Sequence, residues 1–72
     1  LKEKIMANGT VLSFKADKGY GFIKPDDGTA NIYFHVSSLG DIQPEKIVTG
    51  VLVSYESQTE NDKISAINIK MV

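Results

Sequence analysis

The sequence predicts an all-β domain, five short antiparallel strands closed into a small Greek-key barrel. Three observations predict it. Apolar and aromatic runs of strand length recur along the 72 residues, separated by glycine, proline and aspartate punctuation. Gly19 and Gly21 interleave with the aromatics of one run, and glycine on an inward face permits the curvature that a closed barrel needs. No helical segment lies between the two aromatic runs at 18–23 and 32–36.

Each element follows in order. Residues 1–8 read as a leader or edge segment, in which Ile5 and Met6 either pack on the barrel edge or remain disordered. The first strand covers 9–15, and Asp17-Lys18-Gly19 is its turn. The second covers 19–24; Pro25 stops it and Asp26-Asp27-Gly28 turns the chain. The third covers 31–36. A long connection over 37–50 is punctuated by Gly40, Pro44 and Gly50. The fourth strand, 50–57, places Val51, Val53 and Tyr55 on one face. A polar hairpin loop covers 57–63. The fifth strand, 64–70, turns Ile67 and Ile69 inward, and Ile64 breaks its parity, so a bulge is expected before Ala66.

The two aromatic runs carry the function. Side chains alternate across a strand, so Lys18, Tyr20, Phe22 and Lys24 share one face of the first run. Tyr33 and His35 share one face of the second. The opposite faces hold Gly19, Gly21 and Ile23, and Ile32, Phe34 and Val36, which suit a core. Paired as a hairpin, the runs set four flat rings on a sheet edged with lysines. Flat rings stack on unpaired bases and ammonium groups meet phosphates, so this surface suits single-stranded nucleic acid. Five strands with these turns build a barrel of oligonucleotide-binding (OB) type.

Lys18-Gly19-Tyr20-Gly21-Phe22-Ile23 resembles the first ribonucleoprotein motif over its first five positions, with Ile23 a close substitute at the sixth. The match ends at Pro25. Followed so soon by Ile32-Tyr33-Phe34-His35-Val36, it resembles the bacterial cold-shock domain, in a divergent form, rather than the RNA recognition motif. Residues 9–70 lie on the family pattern with little shifting, which gives 9–72 as the domain. The resemblance implies a single-stranded RNA or DNA partner, with pyrimidine-rich strands favoured, and a role as RNA chaperone or regulator of transcription or translation. It tips Phe14, which the pattern divides between core and site, toward the site. The expected nucleic-acid-binding set is Phe14, Lys15, Lys18, Tyr20, Phe22, Lys24, Tyr33 and His35.

Departures from the family are equally specific. Ser13, Val36 and Pro44 stand where many members carry aromatics, and Leu12 stands where they carry a basic residue. A stacked base is worth roughly 1–3 kcal/mol, so three lost platforms weaken binding by at least ~3 kcal/mol, on the order of a hundredfold.

Composition bounds the alternatives. The net charge is −1 and the chain has eight lysines and no arginine, so no forked donor is present for phosphate or guanine. Affinity then rests on stacking more than on counterion release. A second reading follows from the acidic balance and the missing tryptophan: a protein-interaction barrel that has lost nucleic-acid binding. An enzyme is disfavoured, because no nucleophile–base pair, metal cluster or phosphate-cradling loop is present. His35 is the only histidine and the chain has no cysteine, so neither a zinc site nor another cofactor is expected. Asp26-Asp27 reads as a turn and Ser37-Ser38 as caps. With no run of eighteen apolar residues and no signal-peptide pattern, a monomer in the cytoplasm without membrane contact is expected.

Overall fold

Five strands form in chain order: β1 (Met6–Lys15), β2 (Tyr20–Pro25), β3 (Ile32–His35), β4 (Leu52–Glu60) and β5 (Lys63–Met71). The computed structural model describes residues 6–72. Neighbouring strands run β1-β2-β3-β5-β4 and the last pairs back with the first, closing a barrel. All ladders are antiparallel except β3–β5, which pairs Tyr33 with Ser65 and Phe34 with Ala66 in parallel.

β1 serves two neighbours. Its first half, Met6 to Thr10, pairs with β4, while Gly9 to Lys15 pairs with β2. Leu12 is an extra residue in that second ladder, where the register shifts between Val11 and Ser13. Such a bulge sharpens the bend a closing strand requires. The segment after the long connection holds it: the Thr49 hydroxyl donates to the Leu12 carbonyl at 3.1 Å, and the Gly50 amide donates to the Val11 carbonyl at 2.8 Å. Met6 to Asn8 are therefore strand, where a leader or edge segment was expected; their backbone partners lie on β4, far along the sequence. Ile5 lies outside the described residues.

The inward residues build one core. Val11, Ile23, Phe34, Val53 and Ala66 are fully enclosed, with Ile32, Leu39, Ile47, Tyr55 and Ile69 around them. Gly21 is inward because nothing larger fits. A Cβ there would lie 2.5 Å from the Ser13 carbonyl oxygen and 2.7 Å from Cζ of Phe34. Burial raises the pKa of the Tyr55 phenol, and the charges of Asp27 and Asp26 add to the shift.

The β4–β5 hairpin is tighter than the seven-residue loop expected. Glu60 pairs with Lys63, leaving only Asn61 and Asp62 in the turn, at φ 52° and 64°. Two consecutive positive φ angles describe a type I′ turn, whose twist matches its strands. The β5 bulge also falls elsewhere. The register shifts beside Tyr55, between the Ser54–Lys70 and Glu56–Ile67 pairs, and Asn68 takes the left-handed conformation at φ 51°. Its amide donates to the Glu56 carboxylate. The parity change therefore comes after Ile67, so Ala66 and Ile69 point inward and Ile67 is only half-buried. Ile64 stays on the surface.

Two short 3-10 turns, Val36–Leu39 and Pro44–Lys46, organise the long connection. The first drops Leu39 into the core.

Candidate nucleic-acid interface

Alternation and register together set out the outer face of β2 and β3. Tyr20 pairs with His35 and Phe22 with Tyr33, so all four side chains leave the sheet on one side. Each pair extends into a transverse row. One row runs Lys15, Tyr20, His35 across β1, β2 and β3. The next runs Ser13, Phe22, Tyr33, Ser65 and reaches β5. Lys24 lies farther along β2, opposite Thr10.

Three of the rings form a triangle. Ring centroids are 6.0 Å apart for Tyr20–Tyr33, 6.1 Å for Tyr20–Phe22 and 6.1 Å for Phe22–Tyr33. Tyr20 and Tyr33 lie near parallel at 27°, while Phe22 stands edge-on to both. The rings support one another at the spacing aromatic pairs prefer. Phe22 and Tyr33 remain open to solvent, 37% and 39% exposed, while Tyr20 is half-buried. An apolar cluster of this kind on a small surface suits a contact site.

His35 completes the Tyr20 row and also begins the 3-10 turn after β3. Its Nδ1 accepts from the Ser37 amide at 3.1 Å and lies 2.9 Å from the Ser37 hydroxyl. Lys15 and Lys24 are exposed at opposite ends of the ring cluster. Lys18 belongs to the turn before β2, not to the strand, so strand alternation does not place it. Its amide and that of Gly19 both donate to the Lys15 carbonyl, at 3.0 and 2.8 Å, and Gly19 takes φ 78°.

Phe14, expected in the same set, is separated from it. It pairs with Gly21 on the inner side of the ladder, and its ring stacks on Phe34 at 5.6 Å and 18°. The bulge at Leu12 and the missing side chain of Gly21 make room for that half-buried ring. The three replaced positions are also visible. Ser13 lies in the Phe22 row, Val36 packs against the core, and Pro44 opens the second 3-10 turn.

Sequence reasoning missed one margin of the face. A shallow hollow beside Tyr33 is lined by Asn61, Lys63, Ile64 and Ser65. Only the parallel β3–β5 pairing brings the hairpin there, and no local signal announces that pairing. Ile64 also borders a second hollow, lined by Asp27 and Thr29 of the 26–29 turn, and that turn carries a stabilised anion. Thr29 donates to Asp27 from its hydroxyl at 2.7 Å and its amide at 3.0 Å, which lowers the Asp27 pKa.

Among the described residues, no group of three or more His, Cys, Asp or Glu side chains could hold a metal ion. No described helix is long and apolar enough to cross a membrane.

The family model for the 'Cold-shock' DNA-binding domain matches residues 7–72. The chain belongs to the cold-shock domain family. It is a nucleic-acid-binding protein of cold-shock type by that membership. It is 40% identical over 68 residues to "Probable cold shock protein y4cH" of Sinorhizobium fredii, covering 92% of this chain and 99% of that one. It is 37% identical over 67 residues to "Cold shock protein CspA" of Rhizobium meliloti, covering 90% and 97%. The fold is shared with the solved structure titled "drosophila Unr CSD456", at TM-score 0.79 and 22% identity. That match covers 96% of this chain and 27% of the other.

Proposed function

We propose that the outer face of β2 and β3 binds single-stranded RNA or DNA by stacking bases on Tyr20, Phe22, Tyr33 and His35. The observation that carries this reading is the outward-facing triangle of three rings about 6 Å apart, two of them exposed, with histidine completing one row. Every base has a flat face, so such a platform accepts many sequences. Lys15, Lys18 and Lys24 steer the backbone, and Phe14 supports the platform from beneath by packing on Phe34. Pyrimidine-rich strands are the favoured ligands, bound by a monomer in the cytoplasm. A protein that binds only the open strand shifts RNA toward that form. The biological role is then that of an RNA chaperone or a regulator of transcription or translation, without catalysis.

The test is a fluorescence-anisotropy titration with seven-nucleotide oligo-dT and oligo-U at two salt concentrations, beside Phe22→Ala. Weak binding that the variant loses is expected, with log K falling against log salt at a slope of about −2 for three phosphate contacts. A flat titration with folded protein would overturn the proposal and favour a protein-interaction barrel.

A further inference from the structure

His35 does two things at once, and the first constrains the second. Its backbone is extended, at φ −96° and ψ 154°, and its side chain caps the 3-10 turn Val36–Leu39 by accepting from the Ser37 amide. A backbone N–H is always a donor. Nδ1 must therefore present its lone pair, and the Ser37 hydroxyl 2.9 Å away can add its own hydrogen to the same atom. In a neutral imidazole that leaves the proton on Nε2. The cap thus selects the tautomer.

The location of Nε2 gives this selection a use. It lies 3.8 Å from the point where a Cβ on Gly19 would stand, at the end of the platform beside the Lys18 turn. A glycine at 19 sets no side chain against the ring. His35 is exposed and is the cross-strand partner of Tyr20 on the outer face, and the N–H of an imidazole lies in the plane of its ring, at right angles to the face that stacks. One side chain can then stack with its face and donate with its edge.

We infer that Ser37 is a positioning residue that holds His35 as an Nε2–H donor, and that this donor takes an oxygen acceptor of the bound strand. The inference rests on the stacking proposal and adds a directional contact to it. The acceptor is a base carbonyl or a backbone oxygen, and the experiment separates the two.

The first measurement is the ¹⁵N spectrum of the His35 imidazole in the free, full chain, at a pH where the ring is neutral. Nδ1 bare and Nε2 protonated is expected; the reverse tautomer would overturn the inference without any ligand. The second compares the parent with His35→Phe and His35→Ala on oligo-dT, with folding of each checked by its melting curve. A phenylalanine restores the flat ring but not the donor, and both variants lose the cap equally. Binding by His35→Phe about fivefold or more weaker than the parent is expected. Equal binding would overturn the donor role while leaving stacking intact. Failure of the parent itself to bind would overturn the stacking proposal and the donor role with it. The third arm repeats the comparison on oligomers of the difluorotoluene nucleotide, a thymine-shaped base without carbonyl acceptors. A deficit that vanishes there assigns the contact to a base carbonyl, and one that persists assigns it to the backbone.

Discussion

Ser13 stands directly opposite Phe22 in the β1–β2 ladder, on the outer face. Its short side chain leaves the floor beside Phe22 bare, in the row that continues through Tyr33 to Ser65. A ring placed there extends the platform toward β1. Ser13→Trp is expected to tighten oligo-dT binding about tenfold, within the range of one stacked base. Anisotropy titration reads it directly. An unchanged Kd would mean that the strand does not cross this part of the sheet.

Tyr33 closes the triangle while remaining 39% exposed, so binding and stability separate there. Tyr33→Ala is expected to weaken binding by about 1–3 kcal/mol, roughly fivefold to 150-fold. The melting temperature should move far less than in a core substitution such as Phe34→Ala, which costs about 3–5 kcal/mol. Loss of both properties together would identify Tyr33 as a packing residue.

Gly21 makes the opposite case. Its Cβ position is already occupied, by the Ser13 carbonyl and the Phe34 ring. Gly21→Ala is expected to destabilise the fold by about 1–3 kcal/mol, as overpacking does, measured by urea denaturation. Wild-type stability would show that β1 and β2 can part at this point without loss.

The Asp27–Thr29 turn yields a pH dependence with a defined sign. The Thr29 hydroxyl, then its amide, holds the Asp27 pKa below the ordinary 3.8. The folded chain therefore binds fewer protons than the unfolded one between those values. Stability from this contact is fully present above the unfolded pKa and is lost as pH falls through the folded one. Thr29→Val is expected to raise the Asp27 pKa, read by carboxyl ¹³C titration, and to flatten the acid limb of the stability curve. An unmoved Asp27 would remove the hydroxyl as the cause.

Alternation made the ring cluster legible before any coordinates. Tyr20, Phe22, Tyr33 and His35 are spaced two apart within short runs, and period two is a local property of strands. Phe14 was harder, because an extra residue at Leu12 shifts the register and its room comes from Gly21 on another strand. The same limit applied to β5. Its parity changes at Asn68, where the left-handed turn of the backbone is stabilised by a carboxylate on β4. Lys63 and Ile64 reached the margin of the platform through a pairing of residues some thirty positions apart. Contacts of that range depend on how the whole sheet closes, and no window of sequence contains them.

With bases stacked on Tyr33 as proposed, the parallel β3–β5 ladder ties ligand binding to conformational stability. Tyr33 is one of the two β3 residues in that ladder and one corner of the ring triangle. The same closure that completes the barrel therefore completes the platform. Any strand held by Tyr33 selects chains whose ends have met, and a partly zipped chain has no finished surface to offer. By mass action, each tenfold rise in oligonucleotide above its Kd then adds about 1.4 kcal/mol to the free energy of unfolding. A domain of this size has a narrow margin of stability, so an increment of that size is a large fraction of it.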